Sequence, residues 1–251
     1  MSQEPSIPQL FDQTAQRRNR ARAASGFSGF DFLKLEAAIR IADRLELMRR
    51  DFPLCLDFGS HDGTLTGVIR ETGKTGMVLQ ADPAPEFAAM AAASGPALAS
   101  EYDRLPFAEG SFDAVFSCLM LHWVDDLPGV MAQIRRLLKP DGLCLVNLLG
   151  GATLTELRAS LLEAEQEIYG GAGPRTAPMA DIRDVGGLLG RAVLHRLEAL
   201  LRPLERQSEP LHDRQRLLPI HARAFVARSR ARAVHLAERA PHGVAVGLTL
   251  G

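Results

Sequence analysis

The chain has 251 residues, of which 46% are hydrophobic and 24% are charged, and its formal net charge is −1. This length and composition allow a single α/β domain with a small appendage, because such a chain can bury one sizeable core. No apolar run reaches the length of a membrane span, and the first residues lack the pattern of a signal peptide. We therefore expect no membrane span and a cytoplasmic location.

The cysteines and the arginine-rich N-terminal stretch limit the other classes of function. Cys55, Cys118 and Cys144 all lie in apolar, strand-like runs, which predicts buried, reduced thiols and a reducing compartment. Four arginines lie on a polar stretch that suits an amphipathic helix or a basic arm: Arg17, Arg18, Arg20 and Arg22. We interpret them as a solvated helix face. Nucleic-acid binding is not expected, because no aromatic residues are interleaved with them.

The hydrophobic pattern alternates between helical and strand periods along residues 32–148. It predicts helices over residues 32–50, 64–71, 85–93 and 127–138, and strands over residues 54–58, 77–81, 96–100, 112–118 and 143–148. Strands that alternate with helices indicate a Rossmann-like, doubly wound, mostly parallel sheet with covered faces. A further helix is predicted over residues 153–169, and its stripe of Leu154, Leu157, Leu161 and Ala164 is interpreted as core packing.

A glycine turn between the first predicted strand and its helix indicates a nucleoside cofactor. The strand ends near Asp57, the turn runs from Gly59 to Gly63, and Asp82 closes the next strand, where a carboxylate can accept both ribose hydroxyls. His61 stands where a dinucleotide fingerprint has its second glycine, and a pyrophosphate needs that position bare. S-adenosylmethionine (SAM) has no phosphate, so the turn favours SAM over NAD.

Several further motifs follow this turn in a fixed order. They include Leu105-Pro-Phe, Ser111-Phe-Asp, Leu121-His-Trp-Val-Asp-Asp-Leu-Pro, Leu138-Lys-Pro-Asp-Gly and Gly151-Ala-Thr-Leu-Thr-Glu-Leu-Arg. With Leu10-Phe-Asp, Phe30-Asp-Phe-Leu and Phe52-Pro-Leu-Cys-Leu-Asp-Phe-Gly, they give the chain a resemblance to class I SAM-dependent methyltransferases of methyltransferase type 11. Within that group the chain resembles the complex I assembly factor branch and, more distantly, the malonyl-carrier-protein methyltransferases of biotin synthesis. The resemblance covers residues 10–192.

The resemblance implies a SAM-binding domain over residues 53–192, preceded by a helical segment over residues 1–52. It implies cofactor contacts from one set of positions: Asp57, Gly59, Ser60, His61, Gly63, Asp82, Pro83, Glu101, Tyr102, Cys118 and Leu119. The turn and its preceding carboxylate would hold the methionyl part, Asp82 the ribose, and Pro83 the adenine face. Glu101 stands where many relatives have an aspartate on the adenine amino group, with Tyr102 flanking the ring. Cys118 and Leu119 would line the sulfonium.

Each assignment has a structural alternative. Asp57 could cap a helix or a turn, and Asp82 before Pro83 could form a plain turn. Their positions at matching ends of consecutive strands favour the cofactor role. His61 could simply occupy a permissive turn position, and His122 beside Trp123 is interpreted as a structural, hydrogen-bonded residue rather than a base.

The resemblance leaves the reaction open between three possibilities. Methyl transfer to a protein side chain, or to a small-molecule or carrier-bound carboxylate, is favoured because it is the commonest activity of the class. Such transfer needs alignment more than covalent help, so no catalytic residue is named. The assembly-factor branch implies two alternatives, which are arginine hydroxylation of a respiratory complex I subunit and a non-enzymatic assembly role. No iron triad or other metal site is evident in the sequence.

Residues 193–251 depart from the expected pattern. The resemblance implies an antiparallel strand pair here that completes the sheet, but the chain becomes rich in Arg, with ten Arg, no Lys, five acidic residues and five of the seven histidines. One interpretation is a divergent basic helical tail that binds an acidic partner. The other, which we favour because the break is abrupt, is translation of a shifted reading frame. In either case we expect the terminal hairpin to be missing or altered.

Overall fold

The computed structural model describes residues 9–173 and 175–191, within which five parallel strands form one sheet. In chain order they are β1 (Phe52–Phe58), β2 (Thr75–Asp82), β3 (Ala97–Ala99), β4 (Phe112–Cys118) and β5 (Leu138–Asn147). Their order across the sheet is β3-β2-β1-β4-β5, and every pairing between neighbours is parallel. The predicted Rossmann-like, doubly wound sheet is confirmed. Its strand order reverses between β1 and β4, where such sheets form a crevice at the carboxyl ends of the strands.

Seven α-helices surround this sheet in the described residues. They are α1 (Gln13–Ala24), α2 (Phe32–Glu46), α3 (Thr64–Arg70), α4 (Pro85–Ala91), α5 (Leu127–Leu137), α6 (Thr155–Tyr169) and α7 (Ile182–Arg191). Successive residues of β1 face opposite sides, as a strand requires. Cys55 packs in the cluster with α2 and α3, whereas Leu56 packs in the cluster with α5. The sheet is therefore covered on both faces, which is why its strands are mostly apolar.

Two predicted boundaries differ from the structure by four or five residues, for local reasons. Helix α2 ends at Glu46, because the chain turns at Leu47 before β1 begins. Strand β5 begins at Leu138, although the following Lys-Pro-Asp-Gly was predicted to separate a helix from a strand. Phe112 of β4 pairs with Leu138, and the register is shifted before β4 pairs with β5 again. The turn sequence is thus a bulge within β5 rather than a loop before it.

The interpretation of the stripe on α6 as core packing is wrong for the described structure. Leu154 is 45% exposed and Leu157 is 48% exposed, and Ala164 is exposed as well. Among the described residues of α6, Glu165 is the buried one. Its carboxylate accepts a hydrogen bond from the backbone N–H of Gly173 at 2.8 Å and pairs with Arg175, so α6 is tied to its following loop by polar contacts.

The predictions for residues 193–251, including the terminal hairpin and the basic tail, lie outside the described residues. Within the part that the structure describes, none of the helices is both long and apolar enough to cross a bilayer. The three cysteines are buried and unpaired with one another, as predicted.

Candidate functional site

The glycine turn lies at the carboxyl end of β1 and is held against β2 by its own backbone. The N–H groups of Gly59 and Ser60 both donate to the carbonyl of Ala81, at 2.8 and 3.2 Å. Gly59 has φ 83°, and a Cβ added there would lie 2.3 Å from the Cβ of Met120. A side chain is excluded at this position by both conformation and space. The turn therefore sits directly on the loop that follows β4.

Gly63 closes the turn and begins the next helix. It has φ 86° and is the N-cap of α3. A Cβ at Gly63 would lie 2.6 Å from Ser94 Oγ and 2.7 Å from Gln80 Oε1. The two glycines predicted from the sequence are therefore required by the turn itself, independently of any ligand.

Asp57 is a fully buried carboxylate near the end of β1. Its Oδ2 accepts a hydrogen bond from the hydroxyl of Thr66 at 2.9 Å, whereas Oδ1 accepts none from the described residues. Burial raises the pKa of Asp57 to about 6, against the opposing effects of Lys34 and the Thr66 hydroxyl. The capping role considered for Asp57 does not apply, since it lies within the strand. A buried carboxylate oxygen without a donor is costly and fits a site that a cationic or N–H-bearing ligand completes.

Asp82, also fully buried, has partners for both carboxylate oxygens. Oδ1 accepts from the backbone N–H of Ala84 at 2.9 Å, which is the turn-forming contact considered for this residue. Oδ2 accepts from the backbone N–H of His61 at 2.9 Å and from Arg20 Nη2 at 2.6 Å. Asp82 thus links the glycine turn, the start of α4 and the helix α1.

His61 does not simply occupy a permissive turn position, because its ring makes specific contacts. It has φ 53°, in the left-handed region, and its buried ring stacks on Phe27 with centroids 5.3 Å apart. Nε2 lies 2.9 Å from Arg20 Nη1, which is only a donor, and Nδ1 lies near both the Gly59 carbonyl and Lys34, so a proton on Nδ1 satisfies the Arg20 and Gly59 contacts together. Nδ1 then donates to the carbonyl of Gly59 at 2.9 Å. Burial and the charges of Lys34 and Arg20 hold the pKa of His61 well below its usual value, so the ring is neutral.

Lys34 is a buried cation that the sequence interpretation missed. From α2, its Nζ donates to the carbonyls of Gly59 at 2.7 Å and of Cys118 at 2.9 Å, and lies 3.0 Å from His61 Nδ1. It therefore joins the carboxyl ends of β1 and β4. A signal was present, because Lys34 precedes the buried Ala37, Ala38 and Ile41 by three, four and seven residues and so shares the core face of α2.

The interpretation of the N-terminal arginines as a solvated face is wrong for one of the four, Arg20. Arg20 forms an ion pair with Asp82, in which the Arg20 side chain is 12% exposed and the Asp82 side chain is buried. Arg17 forms an ion pair with Glu101, with both side chains partly exposed. Arg22 remains at the surface and donates to Asn19 at 2.6 Å. Two carboxylates assigned to the cofactor are therefore partnered by arginines of α1.

The remaining assigned positions lie around the same strand ends. Tyr102 and Ser60 are fully buried, and neither the Tyr102 hydroxyl nor the Ser60 Oγ has a partner among the described residues. Burial raises the pKa of the Tyr102 hydroxyl to about 12. Pro83 is buried beside Asp82, while Glu101 is exposed. Tyr102, Ser60, Pro83 and Glu101 therefore lie around the same strand ends as Asp57 and Asp82.

The segment after β4 forms the other wall of the crevice. Cys118 ends the strand, and burial raises the pKa of its thiol to about 11, so the thiol is protonated near neutral pH. Leu119 has φ 53° and donates its N–H to the carbonyl of Asn147 at 2.8 Å. His122 Nδ1 has no partner among the described residues, and burial with the charges of Arg20 and Lys34 lowers the pKa of His122 to about 4. His122 is a weak base in this setting.

A cavity of about 460 Å³ lies between α1 and the glycine turn. Aromatic rings supply much of its wall, namely Phe11, Phe27, Phe87 and Trp123, while Arg20 and His61 form its polar side. Both amide atoms of Gln16, which also lines it, are buried without a partner in the described structure. Its volume lies in the range of small-molecule sites. No group of three or more His, Cys, Asp or Glu side chains among the described residues is placed to hold a metal ion.

Comparisons with known proteins agree with this architecture. Residues 56–146 match the family described as a methyltransferase domain. The chain is 40% identical over 197 residues to the protein named "Arginine-hydroxylase NDUFAF5, mitochondrial" of Homo sapiens, covering 76% of this chain and 56% of that protein. It is 29% identical over 208 residues to "Malonyl-[acyl-carrier protein] O-methyltransferase 1" of Coxiella burnetii, covering 82% and 65%. The chain thus spans a little over half the length of the first of these curated relatives.

The fold of the chain also resembles that of a solved methyltransferase. A methyltransferase of Haloferax volcanii, solved in complex with the Trm112 methyltransferase activator, superposes with a TM-score of 0.54 at 20% identity. The match covers 69% of this chain and 75% of that one. Residues 56–146 therefore match a methyltransferase domain, and the chain shares its fold with a methyltransferase of known structure.

Proposed function

We propose that the chain binds SAM and transfers its methyl group to an acceptor. The observation that carries the proposal is the unpartnered Oδ1 of Asp57, a buried carboxylate oxygen at the point where the strand order reverses. The ammonium of the methionyl part is a donor that this oxygen suits. The methyltransferase domain and the name of the Coxiella relative support the same cofactor.

The residues around Asp57 would bind different parts of SAM according to their charge. Lys34 donates to the carbonyls of Gly59 and Cys118, and its positive charge at the ends of β1 and β4 would attract the methionyl carboxylate. In this proposal Asp82 would accept the ribose hydroxyls, and Tyr102 and Ser60 offer buried hydroxyls that have no partner among the described residues. The site thus supplies an acidic group for the ammonium and a cation for the carboxylate.

SAM supplies an electrophilic methyl group on a sulfonium, so the chemistry asks little of the protein beyond alignment. Cys118 and Leu119, at the end of β4, would exclude water from the reacting centre, and the protonated Cys118 thiol does not compete as a nucleophile. His122 could accept a proton only weakly, given its pKa of about 4. An acceptor that is already nucleophilic at neutral pH, such as a carboxylate, fits this site better than a protonated amine.

Calorimetric titration with SAM tests the cofactor. The wild-type chain should bind, and Asp82→Asn should bind on the order of tenfold to a hundredfold more weakly, because it loses the charged acceptor for the ribose. Asp113→Asn is the control, since Asp113 pairs with Lys139 near the start of β4, away from the crevice. Absence of binding by folded wild-type protein would overturn the proposal.

A second candidate is arginine hydroxylation or an assembly role for a respiratory complex I subunit. The observation that favours it is the 40% identity to a relative named as an arginine hydroxylase. Mass spectrometry of candidate acceptors distinguishes the possibilities, after incubation with the protein and SAM for methylation, or with the protein, dioxygen and a two-electron reductant for hydroxylation. A gain of one methylene unit indicates methylation, a gain of one oxygen atom indicates hydroxylation, and an unchanged acceptor that remains bound indicates an assembly role.

A further inference from the structure

Helix α1 supplies the partners of both carboxylates that the proposed cofactor would use for its adenosine part. Arg20 pairs with Asp82, and Arg17, three residues earlier on the same helix face, pairs with Glu101. We propose that α1 is a strap that occupies the adenosine end of the site and must release these carboxylates before SAM binds. The inference rests on the proposed function, because it concerns the same site.

Asp82 cannot serve Arg20 and a ribose equally well. Its Oδ1 already accepts from the N–H of Ala84, and its Oδ2 accepts from both the N–H of His61 and Arg20. A carboxylate oxygen has two favoured acceptor directions, so Oδ2 is filled. A ribose that contacts both oxygens therefore requires Arg20 to leave. The N–H groups of Arg20 are hydrogen-bond donors, and so are the ribose hydroxyls and the adenine amino group. The arginine and the adenosine would therefore compete for the same acceptor oxygens.

Arg20 is held in this position by three groups. Nη2 contacts Asp82 and Nη1 contacts His61 Nε2, while the guanidinium carbon lies 5.0 Å from the centre of the Phe87 ring. These contacts come from the end of β2, the glycine turn and α4. The arginine is therefore fixed by the site itself rather than by chance contact at the surface.

Polar contacts hold most of α1 on the domain. Ala24, at its last turn, is the buried residue of this helix and packs with Ala84 and Phe87. Near its start, Gln13 Nε2 donates to Asp103 at 2.6 Å and to Asp125 at 2.8 Å. Between these two ends the ion pairs of Arg17 and Arg20 are the charged links to the strand ends. A helix with so little apolar burial depends on such links, so loss of the Arg20 pair should loosen it.

Two measurements on the full chain test the strap. Arg20→Met removes the ion pair, and Arg22→Met is the matched control on the same helix, because Arg22 is exposed and bonds only Asn19 among the described residues. Titration with SAM should give a dissociation constant about five- to fiftyfold lower for Arg20→Met than for wild type, since the competing state is removed. Arg22→Met should bind as wild type does. Arg17→Met should shift affinity in the same direction by less, because its pair is more exposed.

Hydrogen exchange without ligand is the second measurement. Amides of residues 13–24 should exchange faster in Arg20→Met than in wild type or Arg22→Met. The strap would be overturned if Arg20→Met bound SAM no more tightly than wild type. It would also be overturned if the amide exchange rates of residues 13–24 were the same in both proteins. If neither wild type nor any variant binds SAM, the proposed cofactor is overturned, and the strap with it. If wild type binds SAM but Arg20→Met binds no more tightly, only the strap is overturned.

Discussion

Asp57 and Asp82 are two buried carboxylates in one crevice that the chain stabilises to different degrees. Asp82 has an arginine and two backbone N–H groups as partners, whereas Asp57 has the Thr66 hydroxyl and a more distant Lys34. Burial accordingly raises the pKa of Asp57 to about 6. Keeping Asp57 ionised therefore lowers the free energy of unfolding, and a bound cation would offset this loss.

Asp57→Asn should stabilise the protein at neutral pH while weakening SAM binding. The folded-state pKa of Asp57 is raised, so as pH rises from about 4 to 6 the unfolded chain ionises first and the wild type loses stability. Asparagine does not titrate and can still accept from Thr66. The variant should be more stable than wild type at pH 7 by up to about 3 kcal/mol, and the difference should shrink towards pH 4. Urea unfolding at several pH values measures this.

Asp51→Asn controls for the loss of one negative charge, since Asp51 is exposed at the other end of β1. A stability difference between Asp57→Asn and wild type that does not change with pH would contradict the assignment of Asp57 as a strained carboxylate.

The sequence predicted the residues of the site that lie at strand ends, but not their partners. Asp57 and Asp82 follow from the alternation of strands and helices, because parallel strands place their carboxyl ends together. Lys34 and Arg20 reach the same place from helices far away in the chain, with 25 residues between Lys34 and Gly59 and 62 between Arg20 and Asp82. Their roles depend on how α1 and α2 pack, which local periodicity does not encode.

At the scale of elements, helices α2 and α6 show how far periodicity alone can mislead. Both have apolar residues at helical spacing, but α2 buries Leu35, Ile41 and Leu45 against the sheet, whereas α6 leaves its leucines half exposed. Strand β4 was predicted with its exact bounds because it is mostly apolar and follows the polar turn Glu109-Gly110-Ser111. Strand β5 was not, because its bulge carries the Pro, Asp and Gly that normally mark a loop.

Substitutions on these two helices should therefore lower the free energy of unfolding by different amounts. Leu157→Gln or Leu162→Gln on α6 should change the free energy of unfolding by less than about 0.5 kcal/mol, because these side chains are 48% and 53% exposed. Ile41→Ala on α2 should cost about 2–5 kcal/mol, because Ile41 is fully buried. Urea unfolding of the three variants gives the comparison. A cost above about 2 kcal/mol for the α6 variants would indicate that its apolar stripe is covered after all.

At the scale of the whole molecule, the topology was predictable and the position of α1 was not. Alternating strands and helices determine a doubly wound sheet, and the right-handed crossovers of such sheets leave few other arrangements. Nothing in the arginine-rich stretch predicts that it crosses the carboxyl ends of the strands, since it carries almost no apolar face. Its ion pairs with Glu101 and Asp82 hold it there.

The chain has one tryptophan, and it packs at this boundary. Trp123 lines the cavity beneath α1 and contacts the ring of Phe11 edge-on, with centroids 5.6 Å apart. Its fluorescence should therefore report on the start of α1 as the ligand enters. Stopped-flow mixing with SAM can follow this signal without a label.

If α1 must open before the ligand enters, the rate of the fluorescence change should level off at high SAM concentration, at the opening rate itself. Arg20→Met should raise that plateau or remove it. A rate that rises linearly with SAM concentration in wild type would contradict opening as a required first step. Added salt weakens exposed ion pairs such as that of Arg17, so moderate ionic strength should speed uptake rather than slow it. The ion pairs of one N-terminal helix would then set how quickly this protein takes up SAM, independently of how tightly SAM finally binds.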